Sequence, residues 1–232
     1  MTAALSRFVA FLAATLCSLA AWSQQEVPRI GADSTRDYTR TVAIPIYGQV
    51  IIHGLPKDFA PVQSGQTPDG SFTALYAREG ERPDSVTGLL TVQGFKDLAQ
   101  RPGATPVALL NLVVVNMQKL CGPKIISGSL GESRIDGHQA HTAIVGCASW
   151  PRDLGGSRKL SEGEIGVFIA IRGTSDFYMF SRTLRTKEFD LNAPPINFGN
   201  AKGFVADIQP IKLCDAGTPI TPDSECHRRQ QR

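Results

Sequence analysis

The chain carries no ready-made catalytic or nucleotide-binding signature. It has no G-x-S-x-G nucleophile elbow, and so lacks the strand-turn-helix seat of many hydrolase serines. It has neither a G-x-x-x-x-G-K-[ST] loop to cradle phosphates nor a D-x-[DN]-x-[DN]-G calcium loop. No C-x-x-C and no Cys/His pair at ligand spacing occurs, so a zinc centre is not expected and the metal assignment is none. Beyond the first 23 residues no apolar run reaches the roughly 20 residues that a spanning helix needs. Internal repeats, heptad arrays and long low-complexity tracts are missing as well. No cofactor is expected.

What is present begins with export. Arg7 precedes the apolar run 8–21, and small or polar residues follow, the charged and apolar regions of a secretory signal. Residues 1–23 are read as that signal, cleaved near Ser23, which makes a periplasmic or secreted location the expectation. Losing Arg7 takes the 24 basic residues to 23 against 21 acidic ones, a net of +2, too near balance to suggest nucleic acid or an anionic membrane as partner. Cys17 leaves with the signal, and Cys121, Cys147, Cys214 and Cys226 remain. An even count behind an export signal argues for disulfides. Four cysteines allow three connectivities, and spacing favours Cys121 with Cys147 and Cys214 with Cys226.

The strongest pattern lies in residues 164–185. Val167, Ile169 and Ile171 alternate with Phe168, Ala170 and Arg172; after the break Gly173-Thr174-Ser175-Asp176 a second aromatic-rich run follows. Two such runs around a short Gly/Ser/Asp break predict a hairpin, and apolar residues on both faces predict a sheet covered on both sides. Residues 24–40 read as a mobile lead-in. Residues 41–55 read as one strand, which Pro45 and Gly48 confine to an interrupted or edge strand, and residues 63–71 as an exposed loop. Strands are expected at 72–78 and 86–95, giving three before any helix, with Gly88 and Gly94 weakening or bulging the last. The spacing of Leu109, Val113, Met117 and Leu120 predicts a helix over 105–120, capped by Thr105, opened by Pro106 and stopped by Gly122 and Pro123. A second strand pair is expected over 124–150 around an Asp136-Gly137 turn. Residues 199–203 read as irregular and 204–213 as a short strand interrupted at Pro210. The domain is placed at 41–213, with 214–232 as a disulfide-closed tail.

Several residues invite a chemical role. His138 and His141 form an H-x-x-H, but on a strand residues three apart point to opposite faces and do not converge on a metal. Ser129 and Ser175 each place a hydroxyl near a glycine, and a serine hydrolase using one of them with a nearby histidine is the enzymatic alternative. Glu79, Glu81 and Asp84 share a loop that reads as solvated. Arg172, Arg182 and Arg185 are the candidate binding residues, a basic face for an anionic ligand or partner; the competing reading is that their stems cover apolar surface.

At the level of topology, the strands at 72–95, the helix at 105–120 and the strands and hairpin at 124–185 resemble PsbP/Mog1-like domains. That resemblance implies a non-catalytic accessory or binding domain, although such domains commonly close with a helix where this chain has a Pro- and Cys-rich ending. The expectation is therefore an α+β domain with a largely antiparallel sheet, one main helix on a face and two disulfides. It would serve as an exported accessory or binding protein of the bacterial envelope, with an envelope protein or small ligand as partner. A structural component of an envelope assembly is a further alternative.

Overall fold

The structure is a computed structural model that describes residues 29–30, 39–81, 86–150 and 162–215. In chain order the elements are β1 (Arg29–Ile30), β2 (Thr39–Ile46), β3 (Gln49–Pro56), β4 (Phe59–Gln66), β5 (Phe72–Arg78), β6 (Gly88–Phe95), α1 (Pro106–Cys121), β7 (Ile125–Ile135), β8 (His138–Cys147), β9 (Glu162–Arg172), β10 (Phe177–Lys187), α2 (Ala201–Ala206) and β11 (Lys212–Asp215). The strands form a seven-stranded sheet in the order β4-β5-β6-β10-β9-β8-β7 and a four-stranded sheet in the order β1-β2-β3-β11, with every strand pair antiparallel. The expected α+β class with one main helix is what the chain adopts.

Alternation along the central hairpin explains the layering. On β10, Tyr178 and Phe180 point to one face, where they pack with Ile44, Ile51 and Leu55 of the smaller sheet. Phe177 and Met179 point to the other, against Leu109, Leu110 and Val113 of α1. The seven-stranded sheet is thus the middle layer, and its central strands are apolar on both sides because neither side meets water. Burial of this kind contributes about 25 cal/mol per Å² of apolar surface. α1 keeps the predicted ends: Thr105 Oγ1 accepts from Ala108 N at 3.1 Å, Pro106 opens the first turn, and Gly122, at φ 56°, ends the helix. A disulfide joins Cys121 at the helix end to Cys147 on β8, Cα atoms 5.7 Å apart. It is the one bridge with both cysteines among the described residues; Cys226, the expected partner of Cys214, lies outside them, as does the expected signal.

The N-terminal third departs most from expectation. Residues 41–55 are not one interrupted strand but the hairpin β2–β3, in which Tyr47 (φ 55°) and Gly48 make the turn and Pro45 lies opposite Val50. Residues 63–66 belong to β4, which pairs with β5 past a register shift between Pro61 and Gln63, so the loop is confined to 67–71. Six strands, not three, precede α1 among the described residues. The expected lead-in supplies β1, which pairs with β2 at Thr41 and Val42. β6 runs through Gly88 and Gly94 with unbroken register. The second glycine makes room instead, for a Cβ at Gly94 would sit 2.5 Å from Ile46 Cγ2.

Near the C-terminus, residues 201–206 are helical rather than irregular, because Ala201 anchors α2 in the cluster of Ile144, Ile165, Val167 and Ile196. The final strand starts at Lys212, after Pro210, and is held to β3. No described helix is long and apolar enough to cross a membrane.

Candidate functional site at the polar end of the sandwich

The three arginines occupy different places. Arg172, at the end of β9, donates from Nη2 to Ala99 O at 2.8 Å and is half-buried. Arg182 lies on the opposite face of the sheet, 5% exposed. Its guanidinium carbon is 4.5 Å from the centroid of the Phe59 ring, and Nη1 donates to Thr183 O at 3.0 Å. Nε has no hydrogen-bond partner among the described residues and stands 3.9 Å from Asp207 Oδ2; burial lowers the pKa of the guanidinium, partly offset by Asp207. Arg185 pairs with Glu164 through Nε at 2.9 Å, both side chains largely covered. These residues are not brought together, and two of the three are matched to carboxylates.

The densest polar convergence is around the β9–β10 turn, residues 173–176, and Arg172 borders it. Asp176 is 4% exposed, and its Oδ1 accepts from Asp97 N at 2.7 Å. Ala99 N donates to Ser175 O at 3.1 Å. With the Arg172 contact, three hydrogen bonds clamp the turn at 97–100 onto the hairpin. From the smaller sheet, buried Gln49 donates to Asp215 Oδ1 at 2.7 Å, and Thr174 Oγ1 donates to the same oxygen at 3.1 Å. Gly173 permits this approach, because a Cβ there would lie 2.1 Å from Gln49 Oε1. Two phenols complete the end. Tyr178 donates to Ile46 O at 3.2 Å and faces Asp176 Oδ2 at 3.5 Å. Tyr47 donates to Gly70 O at 2.6 Å and Gly94 O at 3.2 Å. Burial, then the Asp176 and Asp69 charges, push the Tyr47 phenol up to about 12, and burial followed by Asp176 raises Tyr178 further. Both therefore remain protonated donors at any physiological pH.

The sequence marks 173–176 as a turn and Ser175 as a candidate nucleophile, but gives no role to Tyr47, Gln49, Asp97, Asp215 or the Asp176 carboxylate. The one local signal was a four-residue break richer in polar groups than a tight hairpin requires. Pairing across 166 positions of sequence, as between Gln49 and Asp215, leaves no periodicity to read.

No family model and no curated protein matches the chain. Among solved structures the chain is similar to the solution structure of cyanobacterial PsbP (CyanoP) from Synechocystis sp. PCC 6803. The identity is 11%, the match covers 80% of this chain and 96% of that chain, and the TM-score is 0.38. The resemblance expected from the order of elements is present at that level of topology and at low identity.

Of the two candidate serines, Ser129 does meet a histidine: its Oγ is 2.9 Å from His141 Nε2, across the β7–β8 pair beside a bulge. Catalysis needs Nε2 unprotonated, with the proton on Nδ1 held by an acid. Here Nδ1 is buried without a partner among the described residues. A buried N–H lacking an acceptor costs more than an idle lone pair, so the favoured tautomer carries its proton on Nε2 and donates it to Ser129. In that tautomer the ring orients the serine rather than taking its proton. Ser175 instead serves the turn through its carbonyl. His138 and His141 point to opposite faces of β8, and no cluster of three or more metal-ligating side chains occurs among the described residues. Glu81 accepts from Thr87 N at 3.1 Å and Glu79 lies 3.7 Å from Arg40, so both stabilise their loop; Asp84 lies outside the described residues.

Proposed function

We propose that this is an exported domain of the bacterial envelope that works by binding, holding a partner or small ligand at the polar end beside Arg172. The observation that carries it is the Cys121–Cys147 bridge, which fastens α1 to the sheet and belongs to an oxidising compartment. With the signal pattern of residues 1–23 it favours the periplasm, with cleavage near Ser23 and a second bridge between Cys214 and Cys226. Among the described residues Arg172 is the one of the three arginines without a carboxylate partner, which suits it to an anionic group on the ligand. The Ser129–His141 tautomer supports binding over hydrolysis.

The test is capture from the native envelope with the wild-type chain and with Arg172→Glu. A defined component retained by the first and lost with the second is expected. Reproducible ester or amide turnover, with nothing retained, would reverse the assignment.

A further inference from the structure

β7 is the last strand of the seven-stranded sheet, so one of its edges has no strand beside it among the described residues. Its register is set by the β7–β8 hairpin. Asp136 and Gly137, at φ 47° and 80°, form a two-residue turn of the primed type, flanked by Ile135 and His138. In such a hairpin the flanking pair exchanges both backbone hydrogen bonds, and hydrogen-bonded pairs then alternate along the ladder. Ile135, Ser133 and Gly131 therefore direct their N–H and C=O groups to β8. Glu132 and Arg134 turn theirs to the open edge. Both side chains are exposed, and neither has an ion-pair partner among the described residues; Arg134 Nη1 rests on Gly137 O at 2.7 Å.

An antiparallel strand added at this edge pairs through those two outward residues. When the added strand is the same segment of a second copy, with the two-fold axis at Ser133, Glu132 falls opposite the second copy's Arg134 and Arg134 opposite its Glu132. One register thus satisfies the free backbone groups and the charges together. Protected edges repel their own copies, commonly with lysines or a proline; here opposite signs two residues apart complement themselves. The bulge between Ser129 and Gly131 bends the strand beyond this segment, which limits pairing to residues 131–135.

We propose that β7 pairs with β7 of a second copy about Ser133, forming a two-fold dimer whose sheet runs through both subunits. So short a contact makes the dimer weak and concentration-dependent.

Sedimentation velocity over a concentration series reads this directly. The wild type should show a reversible monomer–dimer equilibrium. Arg134→Glu and, separately, Glu132→Arg should each raise the dissociation constant about tenfold by placing like charges across the axis, with melting temperatures unchanged because both residues are exposed. The double variant E132R/R134E should restore wild-type association. A monomer at every concentration, a dimer indifferent to the single changes, or a double variant no better than either single one would each overturn the proposal.

Discussion

The two faces of the seven-stranded sheet are closed by different means. On one, α1 lies on Ala143, Val145, Phe168, Ala170, Phe177 and Met179 and is tied down covalently by Cys121–Cys147. On the other, the four-stranded sheet is held by packing and by hydrogen bonds such as Thr174 Oγ1 to Asp215 Oδ1 and Tyr178 to Ile46 O, and that packing encloses His53, 0% exposed, between the Tyr76 and Phe180 rings at centroid distances of 5.5 and 5.8 Å. His53 Nδ1 lies 2.8 Å from Gly54 O, so it carries the proton. Nε2 and the Tyr76 hydroxyl are buried without partners among the described residues, and the charge on that face of β10 belongs to Arg182, two residues from Phe180. One side thereby depends on a disulfide between helix and sheet, and the other encloses an imidazole sensitive to acid.

The largest effect should come from Val113→Asp. Val113 is 1% exposed under the helix, and an unpaired carboxylate there should cost about 3–5 kcal/mol, read as a collapse of the melting temperature. Near-wild-type melting would remove α1 from the core. Next, Cys121→Ser with Cys147→Ser should cost about 3 kcal/mol, from reopening a loop of 26 residues. Amide exchange in that double variant should lose protection in α1 before β2 and β3.

Acid should do the reverse. Burial lowers His53 from 6.5 to about 4, so between those values the unfolded chain binds a proton that the folded chain refuses. Stability is then full above pH 6.5 and falls as pH drops, by roughly 3 kcal/mol near pH 4. His53→Leu should flatten that slope in denaturation curves, and an unchanged slope would show that His53 does not couple the sheets to pH. The smallest change is Thr105→Ala, which removes the α1 cap and should cost about 1 kcal/mol. A shift confined to helix-side amides would again separate the two faces.

Much of the helix side was legible. The Leu109 and Val113 spacing, the Thr105 and Gly122 ends and the cysteine separation are local signals, and they led to the helix, its orientation and its clasp. The sandwich side was not. β2 and β3 are separated by Tyr47 and Gly48, of which the first carries no turn signature; it stands at positive φ while its hydroxyl reaches the Gly70 and Gly94 carbonyls. For the candidate site, sequence placed Arg172, Arg182 and Arg185 on one hairpin without showing that the sheet separates them. The Asp97 and Asp176 contact joins segments 79 positions apart, beyond any local pattern.

By itself, then, the sequence determined the central hairpin, the capped helix, the Asp-Gly turn and the cysteines that bridge helix to strand. Each of these is written in neighbouring residues through backbone preference and apolar period. Only the tertiary structure decided that a second sheet covers the free face, that Arg182 is enclosed while Arg172 is not, and that Ser129 lies within hydrogen-bond reach of His141. Those outcomes depend on which side chains are excluded from water together, and distant parts of the chain settle that jointly.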